Sequence, residues 1–197
     1  MRNYILPFLA IGILITSFSS CNGSSAKTEA TPPVKSEISK DSLVKRGGYL
    51  VAAIGCDDCH SPKTMGPQGP QLDLEHRLSG YPQERPIAKV DGAVVKNGWN
   101  LFGSDLTSAV GPWGMSFSSN ITSDSTGIGN WSEAQFIKAM REGKSKGLDS
   151  ARPILPPMPW QNFKNLSDED LSAIYAYLQS TKPVHNVVPA PRPLAQL

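Results

Sequence analysis

The pentapeptide Cys56-Asp57-Asp58-Cys59-His60 carries the strongest chemical signal in the chain. Positions 56, 59 and 60 are related as i, i+3 and i+4, so their side chains share one face of a helical turn. From there two thiols can add to the vinyl groups of a haem while the imidazole takes its iron, and C-x-x-C-H is the signal for that attachment. Other chemistries fit these residues less well. A thioredoxin-like pair needs a depressed thiol pKa, which a positive setting supplies, and Asp57 and Asp58 act in the opposite sense. A structural zinc site needs four ligands, and no second C-x-x-C or H-x-H completes one. A disulfide across two residues would leave His60 unexplained.

An iron held by His60 has a sixth position to fill or leave open. A thioether there favours reduced iron and raises the potential. The chain has five Met. Met1 starts the chain, Met65 follows His60 too closely to cross the ring, and Met140 falls in a helical pattern as a core residue. Met158 stands in Ile154-Leu155-Pro156-Pro157-Met158-Pro159-Trp160, where three prolines stiffen a loop able to hold a thioether at fixed distance. Met158 is the favoured distal ligand, Met115 is the reserve, and His76 or His185 would give bis-His ligation. Packing is the commoner fate of a Met in such a loop.

These residues need elements to position them. Leu43, Gly47, Leu50 and Ile54 form one helical stripe running into Cys56, from a domain start near Asp41-Ser42. Gly47-Gly48 weakens that helix, a cost that suits close approach by another helix. Six prolines between residues 61 and 130 forbid long regular elements. A small hairpin is expected around Val94-Val95. A second helix is capped by Ser132 with Gln135 closing a capping box, presents Ala134, Ile137 and Met140 with Phe136 to the core, and stops at Gly143. A third is capped by Ser167, has Asp168, Glu169 and Asp170 at its positive end, and buries Leu171, Ile174, Tyr175 and Leu178 before Pro183. A carbonyl around Pro67 to Pro70 is the candidate partner for the second nitrogen of His60. Arg77, Asn120, Trp131 and Arg141 are candidate donors to haem propionates. The Pro-rich tail, residues 186–197, is expected to be extended.

Residues 1–20 read as a secretory signal: Arg2, an apolar run from Tyr4 to Ile15, then small residues. The small residues end at Cys21, and this junction resembles the lipobox of bacterial lipoproteins, with Phe18 where Leu is usual. The resemblance implies a lipidated Cys21, which also accounts for the odd one of three Cys. Residues 21–40 lack aromatic residues and read as a flexible tether. Net charge is +2 and no Lys/Arg block exceeds two residues, so there is no footprint for nucleic acid.

Leu43 to Leu178 resembles a monohaem cytochrome c of the class I type. Ala176-Tyr177-Leu178 matches the end of that family's C-terminal helix, Gly48 the small residue at its helix crossing, and Ile174 and Tyr177 the crossing partners. Asn120-Ile121-Thr122, Thr126-Gly127-Ile128-Gly129-Asn130-Trp131 and Pro156-Pro157-Met158-Pro159-Trp160 resemble bacterial cytochromes of dehydrogenase electron-transfer chains. The resemblance implies a mainly α domain over residues 41–185, with N- and C-terminal helices crossing, long Pro/Gly-rich loops, one haem c, and Met158 as distal ligand. Many of those relatives carry two or three haems where this chain has one motif. The implied role is single-electron transfer from a dehydrogenase to an oxidase or another cytochrome, in an exported protein anchored through lipid. A haem enzyme or a gas sensor with an open distal site is the alternative.

Overall fold

The structure, a computed structural model, describes residues 39–197. The signal segment, Cys21 and nearly all of the tether lie outside the described residues. Ser39 accepts the Ser42 amide at 3.3 Å and so caps the first helix, α1 (Lys40–Ala53). α1 buries Gly47, Leu50 and Val51. After the left-handed residue Gly55, the motif forms a single helical turn, α2 (Cys56–His60).

The proline-rich middle is built from short pieces, as its composition requires. A hairpin pairs β1 (Lys63–Gly66) with β2 (Gly69–Leu72). A three-stranded antiparallel sheet runs β3 (Leu101–Phe102), β4 (Ser108–Gly111), β5 (Gly114–Phe117) in that order. The expected hairpin at Val94-Val95 is instead a helical turn, α3 (Ala93–Lys96). The Asp91 carboxylate takes the Ala93 amide at 2.8 Å and starts that turn, and Val95 is buried against Val110 and Met115. Burial of one valine, rather than β-propensity, decides the local structure.

Three further helices complete the chain: α4 (Glu133–Glu142), α5 (Trp160–Phe163) and α6 (Asp168–Gln179). α4 begins at the expected Ser132–Gln135 capping box and ends at Gly143 in the left-handed conformation. Its inner face is Phe136, Ala139 and Met140, whereas Ala134, expected inside, is exposed. Helical register gives the inner position to Ala139, three residues after Phe136. α6 starts at the Ser167 cap and buries Leu171, Ala173, Ile174 and Leu178.

α1 and α6 cross at the glycine pair, and the crossing is tighter at Gly47 than at Gly48. A Cβ on Gly47 would stand 1.9 Å from the Ala173 carbonyl oxygen; one on Gly48 would meet the Tyr177 ring at 3.0 Å. The closest partner of the glycines is therefore the α6 backbone at Ala173 rather than the side chain of Ile174. The main core gathers Leu50, Val51, Leu78, Ile128, Phe136, Met140, Leu171, Ile174 and Leu178 around this crossing. Each such side chain contributes about 1.5–3 kcal/mol by burial. The tail is extended as far as Arg192, which pairs with Met115, and ends in a 3-10 turn, Leu194–Gln196. Among the described residues no helix is long and apolar enough to cross a membrane.

Candidate haem-binding site

On α2 both thiols, Cys56 and Cys59, are free and partly buried. Burial, reinforced by the adjacent Asp57 carboxylate, pushes the Cys56 thiol up to about 12. Burial and Asp58 also raise the Cys59 thiol. Both thiols are thus held protonated, opposite to what a dithiol redox catalyst needs. Among the described residues no group of three or more His, Cys, Asp and Glu side chains is placed to hold a metal ion.

His60 is oriented through both its ring and its backbone. Its Nδ1 lies 2.7 Å from the Ser119 carbonyl oxygen. That oxygen can only accept, so the ring proton sits on Nδ1 and Nε2 keeps its lone pair. Burial lowers the imidazole pKa, partly offset by the Ser119 bond, and keeps the ring in the neutral, metal-ligating form. The His60 carbonyl accepts the Gly80 amide at 2.7 Å. The expected partner near Pro67 to Pro70 lies instead at the turn of the β1–β2 hairpin, with Met65 beside it facing solvent. Residue type carries no signal for Ser119, because only its backbone carbonyl acts.

Two segments hold the Ser119 carbonyl in place. Residues 78–81 pair with 118–121 through Tyr81 N to Ser118 O at 3.0 Å and Ile121 N to Leu78 O at 2.9 Å. Buried Asn120 fixes the second segment. Its amide donates to Thr126 Oγ1 at 3.0 Å and Val184 O at 2.8 Å, and its oxygen accepts from Thr122 N at 2.9 Å and Oγ1 at 2.8 Å. Asn120 is thereby spent on the loop rather than available to a propionate.

The charged residues of the turn are tied down as well. Arg77 grips Asp57 with both arms, Nε to Oδ1 at 2.8 Å and Nη2 to Oδ2 at 2.6 Å, and gives Nη1 to the Tyr177 hydroxyl at 2.6 Å. Ser61 Oγ donates to Asp57 Oδ1 at 2.7 Å and accepts the Leu78 amide at 2.9 Å. Burial would raise the Asp57 carboxyl, but the Arg77 and Ser61 hydrogen bonds outweigh it and hold it below the usual carboxylate range. Lys63 extends its ammonium to the carbonyls of Asp58 at 2.6 Å, Asp105 at 2.9 Å and Ser61 at 3.1 Å, which satisfies the C-terminal end of α2. Arg141 is likewise engaged, with Asp168 at 2.5 Å.

Met158 packs partly buried against the main core, as does Cys56. Its loop is held by Ser116 Oγ donating to the Pro156 carbonyl at 2.7 Å and by Ile154 N donating to Gly143 O at 2.7 Å. The other candidate ligands are occupied elsewhere. Met115 is buried in the second cluster with Val95 and Val110. His76 faces Asp73 at 2.7 Å and His185 faces Asp124 at 3.6 Å, both on the surface. The donor set suits a covalent haem: two protonated free thiols, a neutral imidazole with a fixed tautomer, and a thioether on the same core.

Residues 119–182 match the cytochrome c family model. The chain is 34% identical over 150 residues to the gluconate 2-dehydrogenase cytochrome c subunit of Pantoea cypripedii, which covers 76% of this chain and 24% of that one. It is 30% identical over 177 residues to the fructose dehydrogenase cytochrome subunit of Gluconobacter japonicus, which covers 89% of this chain and 28% of that one. A segment of 80 residues is 48% identical to a subunit of the nicotinate dehydrogenase of Pseudomonas putida, covering 40% of this chain and 6% of that one. The chain spans about a quarter, or less, of the length of these relatives. With the helix crossing and the attachment turn, these matches show that the chain carries a cytochrome c domain, and the cofactor of that family is covalently bound haem c.

Proposed function

We propose that the protein is an exported single-electron carrier. Cys56 and Cys59 bind the haem through thioethers, His60 is the proximal ligand and Met158 the distal one. The observation that carries this reading is the His60 imidazole, fixed by Ser119 on the same turn as two free thiols. The bound haem supplies one-electron chemistry, and the protein supplies attachment, orientation and a buried setting. Ser119 fixes which nitrogen faces the iron, and a neutral thioether at the sixth position favours the reduced state.

The names of the relatives support a place beside a dehydrogenase, since each is a subunit of one and several are its cytochrome subunit. The donor is then a dehydrogenase and the acceptor an oxidase or another cytochrome. Residues 1–20 direct export, and Cys21 carries the lipid that anchors the domain through residues 21–40. No partner surface for nucleic acid is part of this reading.

The test is an optical spectrum of the exported, purified protein. A low-spin ferric spectrum with the Met-to-iron charge-transfer band supports the carrier. A high-spin ferric spectrum would point to an open distal site and so to a haem enzyme or gas sensor. Cys21→Ser should release the protein from the membrane fraction; retention would remove the lipid anchor from the proposal.

A further inference from the structure

The Asp57 carboxylate stands between the two haem-attaching cysteines in sequence, 13% exposed, and is paired side-on with Arg77, 30% exposed. Neither charge serves attachment. A helical turn needs no carboxylate at that position, and water would satisfy an exposed one. Burial of a charge at this place is costly unless it is paired and hydrogen-bonded. The structure pairs it fully: both oxygens take Arg77, and Oδ1 also takes Ser61.

We infer that Asp57 and Arg77 form a charge-compensating pair, each member cancelling the shift that the other alone would impose on the reduction potential of the haem. Ferric haem carries one more positive charge than ferrous haem. An unpaired carboxylate beside the attachment turn therefore stabilises the oxidised state, and an unpaired guanidinium destabilises it. Together the two nearly cancel at the iron, so the axial ligands decide the potential. The bidentate geometry fixes where each charge lies. Tyr177, the second partner of Arg77, sits at the α1–α6 crossing and keeps the guanidinium aligned. This inference rests on haem attachment at Cys56, Cys59 and His60.

The experiment is redox titration of the haem-loaded protein, its Asp57→Asn and Arg77→Gln variants and the double variant, at neutral pH. Asp57→Asn should raise the reduced-to-oxidised ratio at the wild-type midpoint by roughly tenfold, equivalent to 59 mV for a one-electron couple. Arg77→Gln should lower it by a similar factor, and the double variant should return to within about threefold of wild type. A merely structural pair would open the turn to water in both single variants and shift both in the same direction. Shifts in one direction, or both within about twofold of wild type, overturn the inference. Where Arg77→Gln takes up no haem, Arg77→Lys replaces it. Because Lys keeps the charge, the variant should stay close to wild type while Asp57→Asn moves; a shift of Arg77→Lys as large as that of Asp57→Asn overturns the inference. Absence of a covalent haem spectrum in the wild type would instead sink the attachment reading itself.

Discussion

Gly80 and Ser119 meet at His60. The Gly80 amide holds the His60 carbonyl at 2.7 Å, and a Cβ on Gly80 would stand 2.7 Å from the Ser119 oxygen that takes the His60 ring. It would also stand 2.3 Å from the Ser118 oxygen, on a backbone at φ +78°. One small residue thus sets how close the two segments that orient His60 can come.

Gly80→Ala should displace the Ser119 carbonyl and weaken its bond to the imidazole. A less basic imidazole stabilises ferric iron less, so the reduction potential should rise. The left-handed backbone adds a folding cost of about 1–2 kcal/mol. Redox titration with urea unfolding of the same sample separates the two effects. A large loss of stability with an unchanged potential would show that Ser119 does not tune the ligand.

At the helix crossing the two glycines should behave differently. Gly47→Ala would place a methyl 1.9 Å from the Ala173 oxygen and 2.7 Å from the Tyr177 Cβ, both part of α6 and unable to swing aside. We expect a loss of about 3 kcal/mol or failure to fold. Gly48→Ala meets only the Tyr177 ring, and the gain in helix propensity of about 1 kcal/mol offsets the adjustment. Urea midpoints of the two variants decide this. Equal costs would mean that the crossing is looser than the close contacts at Gly47 indicate.

These two cases show what a reader of the sequence can and cannot recover. Gly47-Gly48 stands out because glycine inside an otherwise apolar helical stripe needs a packing reason, and the crossing supplies it. The capping residues Ser132, Gln135 and Ser167 are legible because their side chains do the capping themselves. Ser119 is not legible, since only its carbonyl acts and any residue has one. Arg77 and Asp57 are visible as charges but not as partners, because they lie 20 residues apart with no periodic relation. At Val94-Val95, tertiary burial of Val95 overrides a turn-and-strand pattern.

Acid should weaken the fold through the buried pairs. Burial raises the Asp105 carboxyl, but hydrogen bonds from Arg85 at 2.6 Å and Thr107 at 2.8 Å outweigh it and hold the group below the ordinary range. A carboxyl with a lowered folded pKa contributes stability that is present above its unfolded value, about 3.9, and is lost as pH falls through the folded one. The difference in urea midpoint between wild type and Asp105→Asn should therefore hold from neutral pH down to about 5 and shrink below that. Asp105→Asn should be less stable than wild type at neutral pH and should converge on it in acid. Parallel curves for the two proteins would remove Asp105 from the acid response.

Met158→Ala tests the distal ligand most directly. Met115 is not free to take its place, being buried in the second cluster and held to Arg192 by its backbone. The ferric spectrum should change from low-spin to high-spin, the Met-to-iron band should vanish, and the potential should fall because a thioether favours the reduced iron. Met115→Ala is the matching control. It should cost about 2–5 kcal/mol as a core truncation and leave the haem band in place. If the band instead survives Met158→Ala and disappears with Met115→Ala, the stiff Pro156–Pro159 loop is a packing element, and the iron takes its sixth ligand from the three-stranded sheet.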